Sequence, residues 1–261
     1  MHTLLSDLSG YIDALLNIKN VSDWPNALNG LQLANSGRVT KIGAAVDAGE
    51  PTLEKAAAAG VDLLLVHHGL FWAGLQPLTG ALFRKISLAI GADMAVYSAH
   101  LPLDLHPTLG NNALLAQALG FASTEPFFFE KGQFIGLKSA NTAGTAGTAV
   151  AIPLGELVAR LEKAVAGPVK VCPGGPEKVV SIGVVTGGAG GEIYKAAAEG
   201  VDTFITGEAP HWAAVAAEEI GVNLLIAGHY ATETFGVKAL AAQVAGKFGL
   251  EWQFIDHPTG L

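Results

Sequence analysis

The chain has 261 residues with a mean hydropathy of +0.40, which favours a well-buried globular protein of one large or two small domains over a disordered chain. The formal net charge is −8 without a Lys/Arg cluster, which argues against a nucleic-acid-binding protein. No apolar run is long enough for a membrane span, and no basic segment precedes the first apolar residues, so we expect neither a membrane span nor a signal peptide. The single cysteine, Cys172, excludes an intramolecular disulfide framework. We therefore expect a cytoplasmic protein.

The predicted elements alternate between helices and short buried strands. Leucine and isoleucine at helical spacing in Met1–Leu16 predict a first helix. Further on, the pattern predicts strands at Ile42–Val46, Leu63–Val66 and Ala95–Tyr97, and helices at Leu53–Ala59, Ala81–Ile90 and Asn112–Leu119. Short apolar runs separated by helices predict an α/β fold with parallel sheets. The alternative is that some of these runs are pieces of buried helix, which periodicity alone does not exclude.

The middle of the chain, Glu125–Pro176, shows no sign of a further domain. It contains a predicted strand, Phe134–Lys138, and a predicted helix, Ile152–Ala166. Between them, the small residues of Asn141–Thr148 predict a flexible loop or hairpin.

The sequence also repeats itself. Lys41–Trp72 resembles Ser181–Trp212 in an alignment that pairs Gly60 with Gly200 and matches the stretch KAAAAGVD with KAAAEGVD. We therefore predict an internal duplication that forms two similar α/β lobes, residues 1–125 and 126–261, with repeat units at about 41–121 and 180–248. Whether the C-terminal part packs on the first lobe is left open.

Histidines and carboxylates follow the predicted strands. His67 and His68 come directly after Leu63–Val66, and ligands of parallel α/β proteins bind at the carboxyl ends of strands. A lone His-His pair would also fit an ordinary polar loop. However, two motifs of equal internal spacing, His100-x-x-x-Asp104 and His229-x-x-x-Glu233, each follow an apolar stretch. The sequence thus predicts a divalent metal site with five ligands: His67, His68, Asp104, His229 and Glu233.

The number of candidate ligands indicates two ions. Three histidines and two carboxylates supply about three donors to each ion if one carboxylate bridges them, and paired ions lie ~3.5–4 Å apart. Imidazole and carboxylate together suit zinc, iron, manganese, cobalt or nickel.

Three other features are open to more than one interpretation. Glu208 occupies the position of His68 in the second repeat. One interpretation is that it faces the site as an acid, a base or a partner of a ligand, and the other is that it belongs to a surface loop. The glycine-rich stretch Gly187–Gly191 is a weak candidate for a phosphate cradle, because it lacks the established spacings. Trp72 and Trp212 are interpreted as core or interface anchors.

Four motifs, which occur in the same order as in a known family, carry a resemblance: VHHGLFW, AHLPLD, ITGEAPHW and GHYATE. They resemble the Nif-three-like family, also described as GTP cyclohydrolase I type 2 homologues. The early element Asn29-Gly30-Leu31-Gln32 is similar to an element of that family as well, although its spacing from Trp24 is longer here.

The resemblance implies two α/β lobes with a dinuclear metal centre in the cleft between them, and a homohexameric ring built from dimers. It assigns the same five ligands, with Glu233 as the bridge between the ions. Longer family members carry an inserted domain that we do not expect in this chain.

Two functions are compatible with these observations. The first is a metal-dependent hydrolase acting on a nucleotide or a phosphorylated small molecule, with Glu208 or His100 moving protons. The second is a non-catalytic metal-binding or interaction protein in which ions serve assembly or metal handling.

Overall fold

The computed structural model describes residues 2–140 and 151–261, so the predicted loop Asn141–Thr148 lies outside the described residues. The chain forms two compact units. Unit 1 contains residues 1–106 and 236–257, and unit 2 contains residues 107–235 and 258–261. The predicted lobes, 1–125 and 126–261, were defined by sequence repetition, whereas these units are defined by compactness. The lobes therefore stay a prediction.

The described residues up to His106 contribute six strands and four α-helices. In chain order these are β1 Thr3–Leu4, α1 Leu5–Leu15, β2 Gly30–Leu33, β3 Arg38–Val39, β4 Lys41–Asp47, α2 Glu50–Ala58, β5 Leu63–His68, α3 Gly80–Gly91, β6 Ala95–Ser98 and α4 Leu101–Asp104.

The rest of the chain also contains both strands and α-helices. Its elements are α5 Asn111–Ala118, β7 Glu125–Glu130, β8 Gln133–Ala140, β9 Ile152–Pro153, α6 Leu154–Val165, β10 Lys170–Cys172, β11 Lys178–Val179, β12 Ser181–Val184, α7 Ile193–Ala198, β13 Thr203–Thr206, α8 His211–Ile220, β14 Asn223–Ile226, α9 His229–Phe248 and β15 Glu251–Phe254.

Unit 1 is built around a five-stranded mixed sheet in the order β15-β4-β5-β6-β2. The strands β15, β4, β5 and β6 run parallel, and β2 pairs antiparallel with β6. The predicted strands in this region are confirmed, and so is the mixed α/β class. The central strand β5 is apolar and buried along Leu63–Val66, as expected of a parallel strand covered on both faces. Its carboxyl end therefore offers two successive side chains, His67 and His68, directly outside a rigid core.

Unit 2 is built around a six-stranded sheet in the order β10-β14-β13-β12-β8-β7. The strands β12, β13 and β14 run parallel, whereas β10 and β8 pair antiparallel with β14 and β12. The predicted start of the helix Ile152–Ala166 is wrong. Ile152 and Pro153 form β9, which pairs with β11, and α6 begins only at Leu154.

Each unit secures the start of its first parallel strand with an aspartate. The Asp62 carboxylate accepts hydrogen bonds from two successive backbone N–H groups at the start of β4, at 2.6 and 3.0 Å. The Asp202 carboxylate does the same at the start of β12, at 2.7 and 2.9 Å. Two positions before each aspartate, Gly60 and Gly200 adopt positive φ angles of +68° and +81°. The sequence repeat that pairs these two glycines therefore also pairs the two aspartates.

In the part of the chain that the structure describes, no helix is long and apolar enough to cross a membrane.

Candidate metal centre

His67 and His68 end the central strand of unit 1, and each is oriented through its Nδ1 atom. The His67 ring is fully buried, and its Nδ1–H donates to the carbonyl oxygen of Ala99 at 2.9 Å. His68 is partly exposed, and its Nδ1–H donates to a carboxylate oxygen of Asp47, at the end of β4, at 2.9 Å. In both cases the hydrogen bond at Nδ1 fixes the orientation of the ring.

His100 is held in place by two residues that are distant in sequence. Its Nδ1–H donates to the carboxylate of Asp23 at 2.9 Å, and its backbone N–H donates to the side-chain oxygen of Asn29 at 2.7 Å. The same Asp23 carboxylate accepts from the N–H of Leu101 at the start of α4. Burial alone would raise the pKa of Asp23, but its hydrogen bonds, above all that with His100, hold the pKa below its usual value. The aspartate therefore stays ionised while it fixes His100.

These three histidines form one cluster. Ring nitrogens of His67, His68 and His100 lie within 4.8 Å of one another, and we call these residues the histidine cluster. A carboxylate oxygen of Asp104 lies 3.4 Å from Nε2 of His67. The predicted ligands His67, His68 and Asp104 are thus brought together within unit 1, and His100, which the sequence analysis considered for proton transfer, lies among them.

In unit 2, His229 and Glu233 occupy successive turns of α9, and we call them the His229–Glu233 pair. Nε2 of His229 lies 3.3 Å from a carboxylate oxygen of Glu233, which is only 3% exposed. Nδ1–H of His229 donates to Glu208 at 2.8 Å. Glu208 is 52% exposed at its side chain and follows β13, so the structure places it against the far side of the histidine from Glu233.

The equal spacing of the two His-x-x-x-acid motifs leads to different contacts in the two units. His229 contacts the glutamate of its own motif, one helical turn later. Asp104 instead contacts His67, which comes from the neighbouring strand. His100 precedes a helix of only four residues, Leu101–Asp104, whereas His229 begins a helix of 20 residues. The His-x-x-x-acid spacing thus identified the candidate residues, but it did not determine which residue each acid contacts.

Two glycines make room for the His229–Glu233 pair. A Cβ atom at Gly187 would lie 2.3 Å from Oε1 of Glu233 and 3.4 Å from Nε2 of His229, and Gly187 has a φ of +73°. A Cβ atom at Gly207 would lie 2.7 Å from Cα of His229 and 2.6 Å from Oγ1 of Thr232. The loops after β12 and β13 therefore approach α9 so closely that no larger residue fits at these two positions.

The two glutamates make His229 strongly basic in the metal-free protein. Burial opposes the charged imidazolium, but the hydrogen bonds and charges of Glu233 and Glu208 outweigh it and raise the pKa of His229 to about 9.

The glycine-rich loop, a candidate phosphate cradle in the sequence, uses part of its backbone in hydrogen bonds within unit 2. Three of its N–H groups bond within unit 2: Gly187 to Thr232, Ala189 to Thr206 and Gly190 to the carbonyl oxygen of Glu208. These donors are not available to a phosphate, and the glycines instead allow close packing around α9.

The donor set fits a divalent metal. It consists of imidazole nitrogens and carboxylate oxygens, which suit zinc and the neighbouring transition metals. In all four histidines Nδ1 is bonded to an oxygen acceptor of the same unit, which fixes the orientation of the ring. Histidines that bind metals almost always have such an outer partner.

Comparison with known proteins assigns the chain to a family. The family model described as Duf34/NIF3 (NGG1p interacting factor 3) matches residues 3–260. The chain belongs to the Duf34/NIF3 family.

Several Duf34/NIF3 relatives align with nearly the whole chain. A "GTP cyclohydrolase 1 type 2 homolog" of Deinococcus radiodurans is 43% identical over 235 residues, covering 90% of this chain and 87% of that protein. A protein of the same name from Halobacterium salinarum is 40% identical over 258 residues, covering 98% and 99%. The crystal structure of TTHA1606 from Thermus thermophilus superimposes with a TM-score of 0.88 at 39% identity, covering 99% and 100%.

In this member of the Duf34/NIF3 family, the early N-G-L-Q element supports the histidine cluster. Asn29 holds the backbone of His100, as described above. Gln32 accepts a hydrogen bond from the N–H of Leu70 at 2.7 Å, and a Cβ atom at Gly69 would lie 2.3 Å from the Gln32 amide. Gln32 thus fixes the loop that follows His67 and His68. Sequence reasoning quoted this element only as a resemblance, and it missed Asp23, which lies shortly before it.

Proposed function

We propose that this chain binds a pair of divalent metal ions and acts as a metal-dependent hydrolase on a nucleotide or a phosphorylated small molecule. The ligands in this proposal are His67, His68, Asp104, His229 and Glu233. The observation that carries it is the orientation of the three ligand histidines through Nδ1 by an oxygen acceptor. The names of the relatives, GTP cyclohydrolase 1 type 2 homolog, support the substrate class.

We further propose that the two ligand sets face one cleft between duplicated lobes. The duplication in this proposal is supported by the order of the parallel strands, since β4-β5-β6 in unit 1 and β12-β13-β14 in unit 2 each continue into an antiparallel edge strand. The matching hydrogen bonds of Asp62 and Asp202 support it as well. Superposition of β4–β6 on β12–β14 tests the duplication, with Gly60 expected over Gly200 and His100 over His229.

The chain's own residues would divide the work between holding ions and moving protons. When bound, divalent ions in this site supply Lewis-acid activation of a substrate oxygen or of water. Glu233 has the longer side chain of the two acidic ligands and is buried beside His229, which suits a bridge between two positive charges. Glu208 is half-exposed and hydrogen-bonded to His229, so it can exchange protons with solvent while it holds that ring.

The test begins with metal content and proceeds to turnover. Purified protein is reconstituted separately with zinc, iron, manganese, cobalt and nickel, and a panel of nucleotides and phosphorylated sugars is assayed for hydrolysis by chromatography. We expect product with at least one metal and its loss in Glu233→Gln. Full metal occupancy without hydrolysis of any compound would contradict the hydrolase and favour the non-catalytic metal-binding protein.

One variant separates the two possible roles of His100. If His100 only moves protons, His100→Ala keeps the metal and loses turnover; if His100 is a ligand, the same variant loses metal. His257→Ala is the matched control, because His257 belongs to the same unit and its Nδ1 lies 3.2 Å from Nζ of Lys55.

We also propose that the protein is a homohexamer, as its family resemblance implies. Light scattering on the purified chain tests this, and a monomer at micromolar concentration would contradict it.

A further inference from the structure

Two tryptophans of unit 1 stand beside the histidine cluster. The ring centroid of Trp72 lies 4.8 Å from that of His100 and 5.6 Å from that of His68. The ring centroid of Trp24 lies 6.2 Å from that of His100. All three pairs are edge-to-face, with interplanar angles of 78° to 81°. The indoles therefore flank His100 instead of stacking flat on it.

Trp24 combines an exposed indole with a fixed backbone. The residue is 41% exposed, which is unusual for a side chain of this size and apolarity. Its N–H donates to Asp23 at 2.6 Å, and its carbonyl accepts from the N–H of Ala27 at 2.9 Å. Because Asp23 also holds His100, one carboxylate fixes the position of Trp24 relative to that histidine.

Trp72 places a hydrogen-bond donor, its indole N–H, beside His100. Its indole Nε1 is shielded from solvent, and no described residue accepts a hydrogen bond from it. A buried donor of this kind ordinarily bonds to a protein group, an ordered water or a ligand. A ring nitrogen or an exocyclic oxygen of a bound heterocycle is a suitable acceptor.

We propose that Trp24 and Trp72 form a subsite for the planar heteroaromatic ring of the substrate, such as a nucleobase, next to His100. This inference rests on the proposed function and deepens it, because it names the part of the substrate that unit 1 recognises. Aromatic side chains bind bases by stacking on their π-faces, which tolerates different bases. The exposed face of Trp24 provides the stacking surface, and Nε1–H of Trp72 provides a polar contact that favours a heterocycle over a hydrocarbon ring.

The test uses guanosine and adenosine as probes that carry the ring without phosphate, and ribose 5-phosphate as the probe without the ring. Binding is measured by calorimetry on the metal-loaded protein and again after removal of metal with a chelator. We expect both nucleosides to bind in both states and ribose 5-phosphate to lose affinity when metal is removed. The ring subsite is thereby tested independently of the ions.

Variants assign the binding to the two tryptophans. Trp24→Ala should weaken nucleoside binding by about 5- to 150-fold, which corresponds to the loss of one stacked base, while Trp24→Phe should retain most of it. Trp72→Phe keeps a ring but lacks the N–H, so it should weaken binding by about 2- to 10-fold. Metal content should stay unchanged in all three variants.

Trp252→Ala is the matched control, because Trp252 is 38% exposed on the edge strand β15 of the same unit. Wild-type protein that takes up no metal on reconstitution but still binds the nucleosides would contradict the proposed function but not the subsite. Nucleoside binding that is undetectable, or that Trp24→Ala leaves unchanged, would overturn the subsite.

Discussion

The carboxylate of Asp23 lies 2.9 Å from Nδ1 of His100, although 77 residues separate them in the sequence. Asp23 is almost fully buried and also binds the N–H groups of Trp24 and Leu101 and the side chain of Asn29. It is therefore a positioning residue for this side of the histidine cluster.

If His100 is a ligand, replacing Asp23 with Asn should weaken metal binding by about 10- to 100-fold, because the loss of an outer partner of a metal-binding histidine typically has this effect; if His100 only moves protons, the metal affinity should stay unchanged. The amide has the size of the carboxylate but lacks its charge. Competition with a chromophoric chelator measures the affinity. Asp93→Asn is the control, since Asp93 binds the loop residue Ser36 in the same unit and makes no contact with the cluster among the described residues. Equal affinities of D23N and wild type, together with metal loss in His100→Ala, would show that His100 does not need its aspartate.

Replacing Gly187 with Ala should reduce metal content, because the new Cβ atom would occupy the space of the Glu233 carboxylate, 2.3 Å away. Gly200→Ala separates this effect from backbone strain. Gly200 has a similar φ, +81°, but no atom within 4 Å of its ideal Cβ position. Both variants should lose ~1–3 kcal/mol of unfolding free energy from the strained backbone. Only G187A should also lose metal, as elemental analysis would show, and metal loss of equal extent in G200A would contradict this explanation.

Glu233→Gln and Asp104→Asn should affect the metal content differently. Glu233 is the proposed bridge, so its replacement removes a negative charge that neutralises two adjacent cations and should release both ions. Asp104 has the shorter side chain and contacts His67, so its replacement should mainly release one ion. Elemental analysis of both variants after identical purification tests this. Full occupancy in E233Q together with loss of both ions in D104N would show that the bridge is assigned to the wrong residue.

The metal-free protein should lose stability at high pH through His229. Its pKa is raised from 6.5 to about 9 by Glu233 and Glu208 against the effect of burial. A raised pKa contributes stability that is fully present below about pH 6.5 and is lost as the pH rises through about 9. Urea denaturation of the chelator-treated protein between about pH 6 and pH 10, with His229→Gln as reference, measures this contribution. An NMR titration in which His229 deprotonates near pH 6.5 would contradict it.

Much of the fold follows from local sequence patterns. Short apolar runs identified β4, β5 and β6 because buried parallel strands have few polar positions. The edge strand β15 was not predicted, since its residues Glu251–Phe254 are mostly exposed and join β4 from the far end of the chain. A short, polar edge strand has no pattern of its own, and only its pairing defines it.

The candidate ligands were predicted from the sequence, whereas their supports were not. Spacing after strands identified the predicted ligands His67 and His229, and also His100, which was predicted to move protons. Asp23 has no motif, because its role arises from a contact across 77 residues. Gly187 was noted for a phosphate, but its role is steric and becomes visible only when Glu233 is placed against it.

The most direct test of the account is the metal content of gently purified wild-type protein, measured by elemental analysis and again after chelation and reconstitution. The account predicts about two divalent transition-metal ions per chain, released on acidification as the histidines become protonated. Protein that contains no transition metal as purified, and takes up none on reconstitution, would contradict it.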